Sequence, residues 1–364
     1  MLSQGSRWVG LLGVLVLALS GPAAVSGEAG EPAQEATAGT LLGEPLRVSG
    51  ADEARGVVLD GLLSAYAESR GIVVAEEEIA ALLAAQARGK AALGLTAEQD
   101  LTADEQRELD TPQRRFAKAM VRAWKVNQDL YDRYGGRLVS QQLGPEPLDA
   151  YRAFLREREQ AGDFSLTDPA LEASFWSFFE DTERHVFLDP QSEEALWAFV
   201  LPPWERDLLN CAEPVGGCRP VSGTGVHFFS TARVYRKEDT PAGYRQYSTD
   251  TIELDGDLEG RVLYHPETVV DQSAGRLVNT GYQVFSGTVL GRGPVLLMDD
   301  SFRFRVDLQT GETTGAVRLT RPLDGSNIRC WLVIRGTGMD ADGNGSADYR
   351  GSCQLPPAVT AEGN

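Results

Sequence analysis

The sharpest chemical spacing in the chain belongs to Asp340, Asp342, Asn344 and Asp348. They occupy relative positions one, three, five and nine of the run Asp-Ala-Asp-Gly-Asn-Gly-Ser-Ala-Asp, with glycine at position six. Hard oxygen donors held around a tight turn are what a calcium ion requires. Position twelve of a helix-loop-helix calcium site is a glutamate, whereas here it is Gly351, and the flanking segments alternate like strands. The same residues also suit the tip of a hairpin. Apart from calcium at this turn, no cofactor is expected.

Other chemistry is sparse. The chain holds three histidines, His185, His227 and His265, and no Gly-x-Ser-x-Gly elbow. His265 falls on an expected strand, where a lone histidine serves structure or acid–base work. No catalytic residue is assigned. Asp299 and Asp300 are adjacent on another expected strand, so only one of them can face inward. An inward acid would have a raised pKa and could act as the base of a lyase or cyclase.

The four cysteines allow three pairings. Cys211 and Cys218 lie seven apart in a Pro- and Gly-rich segment. Cys330 and Cys353 flank an expected hairpin whose tip falls between Ala341 and Asp342. Two local disulfides are therefore expected, the alternative being a zinc site whose known spacings these do not match.

Two disulfides suit export, and the start of the chain agrees. Arg7 is the only charge in residues 1–27, Trp8 to Leu19 are apolar, and a run of small residues follows. This reads as a secretory signal, too short for a membrane span. No other segment is apolar enough, so the mature chain is expected to lack a transmembrane segment and to be periplasmic or secreted. Of the 364 residues, 53 are Asp or Glu and 34 are Lys or Arg, giving a formal charge of −19. A chain that acidic repels nucleic acid and anionic lipid.

The elements that must position these residues divide into two kinds. Residues 28–50 read as a disordered linker. Residues 51–204 carry helical spacing, beginning with Val58, Leu59, Leu62, Leu63 and Tyr66 before Gly71. Glu76-Glu77-Glu78 opens a second helix, and Thr111-Pro112 the long third one, which Gly135-Gly136 ends. Further helices are expected after Pro145, after Asp168-Pro169, and around Leu196, Trp197 and Phe199. Residues 205–221 form a disulfide-containing linker. Residues 222–355 alternate with period two in eight stretches joined by Gly- and Asp-rich turns, and 356–364 form a tail. The expected fold is thus multidomain α + β: an all-α domain, then an antiparallel β-barrel of about eight strands.

Val58-Leu59-Asp60-Gly61-Leu62-Leu63, Tyr66-Ala67, Gly71-Ile72-Val73-Val74 and Glu76 to Ile79 together resemble the N-terminal segment of SurA-type periplasmic chaperones. That resemblance implies a helical module that binds non-native polypeptide or an envelope protein. Trp124, Tyr131, Tyr134 and Phe154 belong to an aromatic set dense enough to line a client groove as well as a core. Arg137-Leu138-Val139 with Asp149 to Phe164 resembles the first strand and helix of a parvulin prolyl isomerase, with Arg137 where that family has a histidine. Gly256-Asp257-Leu258-Glu259-Gly260 and Phe285-Ser286-Gly287-Thr288-Val289-Leu290-Gly291 resemble the strands of allene-oxide-cyclase-like barrels, which implies an apolar ligand cavity.

These readings converge on an exported, non-catalytic, chaperone-like or protein-binding module joined to a barrel that binds a small apolar ligand. The alternatives are a barrel isomerase or cyclase with acid–base residues in the lumen, or a relative of the peptidyl-prolyl isomerases.

Overall fold

Buried side chains four residues apart (Ala54, Val58, Leu62 and Tyr66) define the inner face of the first helix, α1 (Ala51–Ser69). Gly71, at φ +63°, turns the chain out of it. The computed structural model describes residues 37–94, 103–141, 144–190, 192–211 and 217–356. The expected signal segment and almost all of the expected tail lie outside the described residues.

Before α1 the structure departs from the expected linker. Gly39–Leu41 (β1) and Glu44–Leu46 (β2) form a hairpin that pairs with a later strand and buries Leu46 in the helical core. Three-residue strands are too short to show a period, and the Glu-, Ala-, Gly- and Pro-rich composition around them resembles that of a linker.

Helix α2 (Glu76–Ala92) packs Ile79 and Leu82 against Ala117 and Val121 of α3 (Ala103–Tyr134). The Thr111-Pro112 pair does not open α3 as expected, because Pro112 sits inside it. The preceding Ala103 to Leu109 are mostly strong helix formers, and a local capping signal does not register what precedes it. Then come β3 (Val139–Gln141), β4 (Gly144–Glu146), α4 (Leu148–Gln160), β5 (Phe164–Leu166), which receives β1, and α5 (Pro169–Glu180). Asp168 caps α5 by accepting the Ala170 N–H at 2.9 Å. Leu148, Phe154, Leu155, Phe175 and Phe179 complete the core begun by α1. The expected last helix is reduced to α6 (Glu193–Leu196); Phe199 adopts φ +58° and turns the chain instead. A short α7 (Arg206–Leu209) follows within the segment read as a linker.

The second half is a closed antiparallel barrel. Its strands are β6 (Cys218–Thr240), β7 (Gly243–Gly256), β8 (Leu258–Asp271), β9 (Arg276–Val289), β10 (Arg292–Asp307) and β11 (Thr313–Leu319), then, after a two-residue β12 (Arg321–Pro322), β13 (Arg329–Met339) and β14 (Gly345–Gln354). Each strand pairs with the next main strand, and β14 pairs with β6 to close the ring. Tyr349 crosses near that closure, its hydroxyl accepting the Leu258 N–H at 2.7 Å and donating to the Leu258 carbonyl at 3.2 Å. Both local disulfides form. Cys330 and Cys353 stand opposite one another on β13 and β14, and Cys211–Cys218 ties the end of α7 to the start of β6.

The helical half docks on the outer face of the barrel. Arg276 donates to the carbonyls of Tyr131 at 2.7 Å and Arg133 at 2.9 Å, capping the C-terminus of α3. Gly135 is needed beside it, since a Cβ there would lie 2.5 Å from the Arg276 guanidinium. Asp132, in the last turn of α3, accepts from Arg305 Nε at 2.7 Å and from Arg303. Burial, reinforced at Arg303 by the neighbouring Arg305 charge, lowers both guanidiniums to about 10, so both stay charged at neutral pH. Nearby, Val200, Leu201 and Leu209 pack on Ala316 and Val333, and Arg318 pairs with Glu205 at 2.6 Å.

Removing one member of a buried ion cluster leaves the others desolvated and unpaired. Asp132→Ala is therefore expected to destabilise the protein by about 3–5 kcal/mol. Urea unfolding followed by tryptophan fluorescence measures it, and a loss below about 0.5 kcal/mol would contradict the docking role.

Candidate functional site

Strand alternation sends one residue in two to the barrel interior, and most of those are aliphatic or aromatic. Four are not. Asp250 on β7 stands opposite Tyr264 on β8, Tyr264 opposite Gln283 on β9, and Gln283 opposite Asp299 on β10. The register thus lays a polar belt across four adjacent strands, with exposures of 6%, 2%, 2% and 1% in that order. On one side of it lie Leu258, Val262, Phe285, Val289 and Leu297, and on the other the rings of Phe302 and Phe304.

At Asp299 the belt is saturated. Its Oδ2 accepts from the Arg318 N–H at 2.8 Å and Gln283 Nε2 at 3.1 Å, and its Oδ1 accepts the Ser301 N–H at 2.8 Å. Burial raises its pKa, and these donors work against that rise. A register shift between Asp299 and Phe302 lets both face inward, while Asp300 points out to pair with Arg321. Asp299 therefore stitches β10 to β9 and β11.

The other end of the belt has unused valence. The His227 Nε2 of β6 lies 3.4 Å from Asp250 Oδ2, which also takes the Ser248 hydroxyl at 3.4 Å. His227 Nε2 and Asp250 Oδ1 are buried without a hydrogen-bond partner, and so is Asn279 Oδ1 on β9. His227 sits 4.3 Å from Phe229 and 5.5 Å from Tyr264, ring centre to ring centre, and Tyr264 sits 4.6 Å from Phe302. Burial pushes the Tyr264 hydroxyl well above its usual pKa, so it stays protonated. An imidazole beside a carboxylate, over an aromatic floor, can donate to, accept from or exchange a proton with a small polar group.

No family model, curated protein or solved structure matches this chain.

The other residues singled out in the sequence are dispersed. His265 faces outward, stacked on Tyr282 at 4.5 Å and bonded to Thr249 at 2.9 Å. In the Asp-rich turn, Asp340 accepts the N–H groups of Asp342 at 2.9 Å and Asn344 at 2.8 Å, and the Asn344 amide at 3.0 Å. Those bonds make a hairpin tip. Asp348 stands on β14 opposite Arg335, and among the described residues no group of three acidic, His or Cys side chains is poised for a metal. Phe154 lies in the helical core, Trp124 packs on Phe199 and Trp204, Tyr131 on Phe199, and Tyr134 bonds Glu157 at 2.6 Å. Of the four, Tyr131 and Tyr134 line one cavity beside the end of α3.

His227 and Asp250 carry a signal that is readable in retrospect: Ser248, Asp250, Ile252 and Leu254 alternate, so an acid occupies a face that is otherwise turning apolar. Converting Asp299 to Asn sets an amide N–H against backbone donors. Asp299→Asn is expected to cost about 1–3 kcal/mol and Asp300→Asn less than about 0.5 kcal/mol, compared by urea denaturation. Equal losses would refute the assignment of Asp299 as the strand stitch.

Proposed function

We propose that this is an exported, non-catalytic binding protein whose barrel takes a small, mostly apolar ligand bearing one hydroxyl or carbonyl group. The observation carrying this reading is the pair of buried, unpartnered atoms, His227 Nε2 and Asp250 Oδ1, beside the Tyr264 ring. A buried polar atom left unpaired costs about 1–3 kcal/mol. A ligand that satisfies both relieves that cost while its body packs on the aromatic rings. Export is supported by the apolar leader and by the two disulfides, which persist in oxidising compartments. A barrel isomerase or cyclase would have to use the same His227–Asp250 pair, because Asp299 has both oxygens occupied.

A second reading, capture of non-native polypeptide by the helical lobe, draws on the SurA-type resemblance. It also has exposed apolar side chains to use: Val57, Val73, Leu93 and Phe116.

Fluorescence titration with 1-naphthol tests the first reading. Saturable binding is expected, with naphthalene and the Asp250→Asn variant each about tenfold weaker, equivalent to roughly 1.4 kcal/mol. Naphthalene binding as tightly as 1-naphthol would remove the polar pair from recognition. For the second reading, the full chain is expected to suppress aggregation of a denatured outer-membrane protein, and Phe116→Glu to lose that suppression. No suppression by the unaltered chain rejects it.

A further inference from the structure

The wall of the barrel has a gap, and it lies beside the His227–Asp250 pair. On β7, Thr249 pairs with Arg233 of β6, and Thr251 pairs with Phe228. Asp250, between them, therefore stands against four residues of β6, 229–232, and has no register partner there. On the other side of β6, the pairing with β14 stops at His227 opposite Gly345. Among the described residues, 229–232 are thus in register with neither neighbouring strand. Sheets concentrate bulges of this kind beside working sites.

Two side chains close the gap. The Thr231 hydroxyl donates to the Phe228 carbonyl at 2.7 Å and accepts the Thr251 N–H at 3.0 Å. It supplies bonds that the backbone ladder leaves out. Phe229, two residues from His227 and so on the same side of β6, lays its ring 4.3 Å from the imidazole. The ring also lies across Gly345, where a Cβ would come within 3.1 Å of it and 3.7 Å of the His227 Cβ.

This cover is wet on its outer side. Phe229 is 47% exposed, the His227 side chain beneath it 20%, and the Asp250 side chain 7%. The pair therefore opens to solvent on the Phe229 side. Met339, paired with Gly345 and itself exposed, flanks the ring with a second apolar side chain. Below the belt, Leu258, Phe285, Val289 and Leu297 are fully buried and leave no comparable route.

We propose that Phe229 is a door: its ring lifts off His227 and Gly345, admits the ligand through the gap in the sheet, and returns to cover it. This rests on the binding reading of the His227–Asp250 pair and adds the route and the residue that sets the exchange rate. A ring packed on one face, carried by a stretch without ladder partners, opens without unfolding the barrel.

Stopped-flow binding of 1-naphthol to the full chain tests the route. Phe229→Ala is expected to raise the association and dissociation rates about tenfold each, leaving the affinity within about threefold. Phe229→Trp should slow both rates, which a merely structural role would not do. A second readout needs no ligand: carbethoxylation of His227 by diethyl pyrocarbonate, followed by peptide mass, with His265 outside the barrel as reference. Phe229→Ala should speed it at least about fivefold at His227 alone. Unchanged His227 reactivity overturns the proposal whether or not 1-naphthol binds; failure of 1-naphthol to bind rejects only the binding reading. Where it binds, rates that neither substitution moves, or that both move in one direction, also overturn the door and leave entry to the open end past Phe304.

Discussion

A carboxylate on the last turn of α3 anchors that helix to the barrel. Asp132 reaches the outer face of β10 and meets Arg303 and Arg305, while Arg276 from β9 caps the helix that carries it. Each partner is desolvated by the contact, so none is tolerable without the others. The apolar packing of Leu201 and Leu209 on Val333 adds area, but charge and helix capping set where α3 ends against the barrel. What sequence composition divides into a helical domain and a barrel is one packed body among the described residues.

Strand β10 serves both faces of that arrangement. Its inward residues, Asp299, Phe302 and Phe304, belong to the polar belt and the aromatic floor of the barrel. Its outward residues, Arg303 and Arg305, belong to the docking cluster. The register shift that follows Asp299 makes this possible by letting Phe302 resume the inward face after Asp300 and Ser301. Asp299 then fastens the strand to both neighbours, which keeps the two functions of β10 in fixed relation.

Much of the barrel was legible from residue order alone. All eight expected strands lie inside observed ones, and the Cys330–Cys353 pairing follows from hairpin symmetry, because long period-two runs record strand and face together. The β1–β2 hairpin was not legible, since strands of three residues leave no period and take their stability from β5 far along the chain. Nor was the docking cluster: Asp132 reads as a surface residue of an amphipathic helix, and Arg303 and Arg305 as the wet face of a strand. Only their meeting, more than 150 residues apart in sequence, makes them interior. The His227–Asp250 pair falls between these cases. Its inward polarity is written in the alternation, but the closeness of the two residues depends on β6 and β7 being paired in register.

The connectivity of the barrel gives it a seam. Among the eight main strands, every pairing joins neighbours in chain order except the last, in which β14 returns to β6. The neighbour pairings have short loop-closure distances, whereas the seam must wait for the whole sheet to curl. Tyr349 on β14 reaches across the seam to Leu258 on β8, and the Cys330–Cys353 bridge ties β14 to β13, so β14 is fastened on both sides. In kinetic terms the barrel is a zipper with one late clasp. The interior belt acquires its dry surroundings only when that clasp shuts.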